Sequence, residues 1–170
     1  MGEDLPKIKY DMKWSSIPAE FKRWMYRDGR PHTLAKIFNW GWAVLHSHGI
    51  NSDHFVTLEV VGRRSGKTIN FPLVMTTVEG ERYLVSMLGE GSNWVRNVRA
   101  AGGRAGLRHG INELVFLEEV DIHQRAPILM AYLKDAPGAR PHLPIGVDAP
   151  LSEFEKIAPE YPVFKIRKIN

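Results

Sequence analysis

The chain has no cysteine. Disulfides, thiolate nucleophiles, iron–sulfur clusters and cysteine-ligated zinc are therefore outside its chemistry, which fits a reducing cytoplasm. No apolar run approaches the roughly 20 residues of a membrane span. The opening stretch MGEDLPKIKYDMKW lacks the apolar core of a signal peptide, and Pro6 breaks the myristoylation pattern, so neither leader nor lipid anchor is expected. There is no internal repeat and no low-complexity segment. No recognition helix or RNA-type aromatic motif is present either, so nucleic acid is not expected as a partner. Paired carboxylates and nucleophile–base constellations are also lacking.

What remains is 170 residues of ordinary apolar content, enough for one domain with a proper core. The net charge is only +4, but it is uneven. Between Gly62 and Gly110, eight bases (Arg63, Arg64, Lys67, Arg82, Arg96, Arg99, Arg104 and Arg108) face three acids, Glu79, Glu81 and Glu90. Such a segment attracts an anion or else forms a solvated basic face.

Within it, VVGRRSGKTINF resembles a phosphate-binding P-loop at first sight. The spacing excludes that reading. A P-loop has four residues between its glycines and runs into a helix. Here only Arg63, Arg64 and Ser65 separate Gly62 from Gly66, and the β-branched, aromatic run Ile69 to Thr77 follows. That run reads as a strand, irregular or at a sheet edge near Pro72. The stretch is a turn between strands that carries Arg63, Arg64 and Lys67.

Three zones follow from periodicity. Residues 1–50 read as a helical extension packed on the rest: one helix starts near Ile17-Pro18-Ala19-Glu20. In another, Leu34, Ile37, Phe38, Trp42 and Leu45 recur at helical spacing before a cap at Gly49. The aromatic helix with Phe38, Trp40 and Trp42 has two readings: contact with the inner face of a membrane, or a cover for the fold, which is favoured. Residues 51–170 form the main domain. Phe55, Thr57, Glu59 and Val61 alternate with Val56, Leu58 and Val60; strands follow at 68–77 and YLVSML, and AGLRH and ELVFLEEV make a hairpin. Pro127 opens a helix through Leu133, Ser152 and Glu155 make a capping box, and YPVFKIRKI returns as a strand.

One helix interrupts the strands. Ser92 is its expected N-cap, with the helix over 92–101 and an exit at Ala101-Gly102. Trp94, Asn97 and Ala101 share a face, with Arg96 and Arg99 beside it. A strand end, a glycine loop and a helix start together offer free amides to an anion or a ring edge; the alternative is a Trp94 that only packs. His46, His48, His54 and Asp53 lack ligand spacing, so no metal is expected. Glu118, Glu119 and Asp121 read as a solvated strand end.

The segments VGRRSGK, FPL, YLVSMLGEGSNWVRNVRAAGGRA, RAPILMAYLKDAPGARPHLP and YPVF resemble the deazaflavin-dependent nitroreductase and quinone reductase family, largely actinobacterial, from about residue 55 onward. The resemblance implies a mainly β (α+β) fold, a split antiparallel β-barrel of about six strands. It implies a reduced 8-hydroxy-5-deazaflavin, coenzyme F420, rather than FMN, as hydride donor to a small conjugated acceptor such as a quinone, enone or nitro compound. The alternative is a non-enzymatic carrier of a lipid or other conjugated ligand on the same fold. Arg63, Arg64 and Lys67 are the kind of cations that hold a phosphate and an anionic tail. By the resemblance, Ser65 and the strand Ile69, Asn70, Phe71, Pro72, Leu73 and Val74 lie against the coenzyme. Ser86, Met87, Leu88 and Gly89, with Asn93, Trp94, Val95, Arg96 and Asn97, border its ring. No side chain is assigned as catalytic, because hydride chemistry belongs to the cofactor.

There are departures from the family pattern. Ile69 stands where some members have an arginine, and Gly89 and Glu90 where some have a lysine, so Glu90 is expected to repel the tail. Pocket tyrosines of quinone-reducing members have no counterpart in KDAPGARPHLPIG.

Overall fold

The computed structural model describes residues 52–169. In chain order the elements are β1 (Phe55–Val61), β2 (Thr68–Val78), β3 (Glu81–Val85), α1 (Asn93–Ala100), β4 (Arg104–His109), β5 (Ile111–Glu119), α2 (Arg125–Asp135), α3 (Leu151–Ile157) and β6 (Val163–Lys168). Every strand pairing is antiparallel, and the strands close into a barrel in the order β1-β2-β3-β6-β5-β4. This is the expected split barrel. The expected N-terminal helices lie outside the described residues.

Alternation of side chains explains the layers. Val56, Leu58 and Val60 of β1, Leu84 of β3, Leu107 of β4 and Phe164 and Ile166 of β6 fill the interior. Trp94, Val95 and Val98 of α1 join them, so this helix plugs the barrel. Residues of the opposite parity, Val74, Val85 and Val163, point outward into a second core under α2 and α3. A one-residue slip of any of these strands would exchange the two sets.

One local expectation, the edge-like strand at Pro72, holds, and two are revised. β2 runs unbroken through Pro72, which pairs with Thr57. β3 covers only Met75–Val78, so β2 has a single neighbour at the proline, whose missing N–H is tolerated there. YLVSML is strand only as far as Val85, because Ser86 to Gly89 closes into a turn. Ser152 does not cap α3. Pro150, with ψ 157°, already supplies the extended residue before the helix, so Ser152 falls inside it and no side-chain cap forms.

Candidate coenzyme site at the barrel end

The turn between β1 and β2 is closed by two backbone bonds, Gly62 N–H to the Lys67 carbonyl and Gly66 N–H to the Gly62 carbonyl, both 2.8 Å. Ser65 Oγ accepts from the Lys67 N–H at 3.3 Å. Arg63 reaches back to α1: its Nη1 donates to Asn97 Oδ1 at 2.8 Å and its Nη2 to Asn93 Oδ1 at 3.4 Å. The Arg63 backbone N–H donates to the same Asn97 oxygen at 3.3 Å. The GRRSGK turn and the start of α1, far apart in sequence, are thereby one surface.

The basic segment resolves into committed and free cations. Arg82 pairs with Glu113 at 2.9 Å and Arg108 with Glu59 at 3.7 Å. Arg99 is held from two sides, as described below. Among the described residues, Arg64, Lys67, Arg96 and Arg104 have no ion pair. Arg64, Lys67 and Arg96 are exposed on the turn and on α1.

The residues expected to border a ring, Ser86 to Gly89 and Asn93 to Asn97, form the neighbouring wall. Ser86 is buried, and its Oγ donates to the Gly89 carbonyl at 2.8 Å, while the Gly89 N–H returns to the Ser86 carbonyl at 3.0 Å. Gly89 has φ 71°, and a Cβ there would stand 3.0 Å from the Glu160 carbonyl oxygen. Any side chain at Gly89 would therefore be strained. Ser92 occupies the N-cap of α1 without making a side-chain cap bond. Among the described residues, no acceptor is present for the first-turn N–H groups of Asn93, Trp94 and Val95. Of the three residues only Asn93 is exposed, so its amide is the one open to an anion or a ring carbonyl. Trp94 is 5% exposed and packs its ring 5.4 Å from that of Phe164, so it supports the junction from the core side.

The β2 residues do not gather on one side. Ile69, Phe71 and Leu73 share the inner face, with Phe71 and Leu73 packed on the interior core. Asn70, Pro72 and Val74 share the outer face, and Val74 is buried in the core under α2. Val74 is thus closed off, while the other five are exposed or half-buried.

Glu90, expected to repel an anion, is neutralised. Arg99 donates to its two oxygens at 2.6 and 3.1 Å, and on the other side to both oxygens of Glu119 at 3.0 and 2.6 Å. Hydrogen bonding to Glu119 and then Glu90 raises the Arg99 guanidinium further above its ordinary range. The Arg99 bond holds the Glu90 carboxyl below its usual value, against a smaller opposing effect of burial. Glu119 also accepts from the buried Arg125 at 3.2 Å, and Arg125 Nε donates to the Val120 carbonyl at 2.9 Å. The expected solvated strand end is therefore a junction at Glu119. Glu118 pairs with Arg167 at 2.7 Å, and Asp121 accepts from the His123 N–H at 2.9 Å. His54 places Nδ1 3.0 Å from the Met75 carbonyl oxygen; His46 and His48 lie outside the described residues.

An open cleft of about 400 Å³ adjoins the ring-border loop, lined by Met87, Leu88, Gly89, Glu90, His142, Glu160 and Tyr161. Leu88 is 61% exposed at its edge. The Tyr161 hydroxyl donates to the His142 carbonyl at 2.9 Å, and burial, then Glu160, raises its phenol above the ordinary value. Reading the sequence for pocket tyrosines in KDAPGARPHLPIG missed this one. The signal was in YPVF, just before β6.

Residues 43–114 match the family model described as F420H(2)-dependent quinone reductase. That family is one of oxidoreductases, and reduced coenzyme F420 is the cofactor its name gives. No curated protein matches the chain. Among solved structures, a protein of unknown function from Agrobacterium tumefaciens is 12% identical with a TM-score of 0.51, over 76% of this chain and 55% of that one. The chain thus spans about half the length of that relative, and the likeness shows the fold. An F420-H2 dependent reductase is 22% identical, TM-score 0.43, over 67% of this chain and 94% of that one. A conserved hypothetical protein from Mycobacterium tuberculosis is 13% identical, TM-score 0.47, over 77% and 80%.

Proposed function

From the match of residues 43–114 to the F420H(2)-dependent quinone reductase family, we infer that this chain is a reductase that takes hydride from reduced F420 and delivers it to a small conjugated acceptor, a quinone, enone or nitro compound. The observation that carries this reading is the meeting of the GRRSGK turn with the start of α1 through Arg63 and Asn97. It sets the free cations Arg64 and Lys67 on one surface with the uncapped amide of the exposed Asn93. An anionic, flat coenzyme needs this donor set: charge for its phosphate and tail, neutral N–H groups for its ring edge.

Bound there, the coenzyme supplies the hydride chemistry. The chain's residues do the rest. Arg64 and Lys67 bind the charged end. Ser65 and the exposed parts of β2 flank it, and the Ser86–Gly89 turn with Asn93–Asn97 fixes the ring. Met87, Leu88 and Tyr161 offer an apolar seat beside that turn for the acceptor. Tyr161 donates its hydroxyl proton to the His142 carbonyl, and the proton that completes the acceptor's reduction comes from solvent. Binding and orientation, bringing reacting atoms to roughly 3–3.5 Å, are the protein's contribution.

The site is tested by replacing Arg64 and Lys67 together with alanine and titrating F420. Affinity should fall at least about tenfold at low salt, equal to about 1.4 kcal/mol, and the loss should shrink in high salt. Unchanged affinity at low salt would remove the turn from the site.

A further inference from the structure

We propose that Arg63, unlike its neighbour Arg64, is not an anion ligand but the positioning residue that latches the β1–β2 turn to α1. The two arginines are adjacent and chemically identical, yet their surroundings differ. Arg63 places two guanidinium nitrogens on the side-chain oxygens of Asn97 and Asn93, at 2.8 and 3.4 Å, and its own backbone N–H on Asn97 at 3.3 Å. Arg64 has no such partner among the described residues.

Asn97 explains why the bond is strong. Its side chain is 2% exposed, and a buried amide oxygen must find donors within the protein. Arg63 supplies two of them to one oxygen. Two of the guanidinium's N–H groups are engaged by the helix, and their acceptors are neutral amides, so the side chain is oriented toward α1 while it keeps its charge. Breaking the latch leaves the Asn97 oxygen with only the longer backbone bond. It also frees the hairpin tip to move away from the amide of Asn93. Arg63 thus acts on any ligand of this surface through geometry, and Arg64 through charge.

The inference rests on the proposed site where it concerns the coenzyme, but one arm of its test does not. Hydrogen–deuterium exchange on the ligand-free full chain reads the latch directly. Arg63→Ala should speed exchange across 62–67 and at Arg96 and Asn97, the first hydrogen-bonded amides of α1, by about tenfold, and Arg64→Ala should leave both unchanged. Equal protection in Arg63→Ala and wild type overturns the latch, whatever the chain binds. The second arm is F420 titration in low and high salt. Arg63→Ala should still weaken binding in high salt, since the order it loses is not screened and only the part owed to its unit charge is, whereas the Arg64→Ala loss disappears with salt. Asn97→Ala should weaken binding like Arg63→Ala, and the double variant no more than either alone. If the Arg63→Ala loss disappears in high salt, or the Arg63 and Asn97 losses add, Arg63 is an anion ligand and the proposal fails. If Asn97→Ala does not fold, the exchange and salt comparisons on the exposed Arg63 decide. Failure of wild type to bind F420 would sink the proposed function while the exchange arm still judges the latch.

Discussion

Gly102 and Gly103 form a natural control for one another. Both follow α1 with positive φ, 62° and 81°, and the Gly103 N–H donates to the Val98 carbonyl at 2.9 Å, ending the helix. Their space differs. A Cβ on Gly102 meets nothing within 4 Å; on Gly103 it would stand 2.8 Å from the Leu117 carbonyl oxygen and 2.8 Å from Phe116 Cε2. The Leu117 peptide cannot give way easily, because its N–H is bonded to the Gly103 carbonyl at 2.7 Å. Gly102→Ala therefore carries only the left-handed backbone cost, about 1 kcal/mol. Gly103→Ala adds overpacking against fixed backbone, for a total of about 3 kcal/mol. For a domain of this size these translate to Tm losses of roughly 2–4 °C and roughly 6–12 °C. Thermal and urea melts of the two variants measure the difference. Equal losses would refute the claim that close approach to β5, and not φ alone, demands glycine at 103.

Removing Arg99 by Arg99→Ala should cost about 1 kcal/mol at neutral pH and low salt, since its partners are partly exposed. The Glu90 carboxyl is held low in the folded state, so its contribution is present above the ordinary carboxylate pKa and is lost as pH falls through the folded value. The gap between variant and wild type should therefore close below about pH 4 and in 1 M salt; a gap that persists in acid contradicts the pairing. Trp94 lies in the interior core, so Trp94→Ala is expected to cost about 3–5 kcal/mol, and Trp94→Phe is the usable variant for function. It should lower turnover more than F420 affinity, read by comparing kcat with Kd. An equal fall in both would make Trp94 a binding contact instead of a support for the loop–helix junction.

Much of the barrel was legible because strands announce themselves locally. The alternation from Phe55 to Val61 and the turn residues at 62–67 depend only on near neighbours, and the structure repeats them. The short helix at α1 was legible for the same reason. The commitments of the charged side chains were not. Arg63 and Asn97 are 34 residues apart, and Arg99 and Glu119 are 20 apart. Which cation stays free is settled only when the barrel closes. Alternation also limits the candidate strand. A ligand cannot touch both faces of Ile69 to Val74, and Val74 is lost under α2. Tyr161 escaped notice because its approach to the Met87–Glu90 loop comes from the far end of the chain.

The most direct test of the central claim is the re-oxidation of reduced F420 by menadione with catalytic amounts of the full chain, followed by the coenzyme's fluorescence, with reduced FMN in a parallel cuvette. The account predicts turnover with F420 that depends on the chain's concentration, and little or none with FMN. Tight F420 binding without transfer to menadione or a nitroaromatic would contradict it and leave a carrier of conjugated ligands on the same barrel.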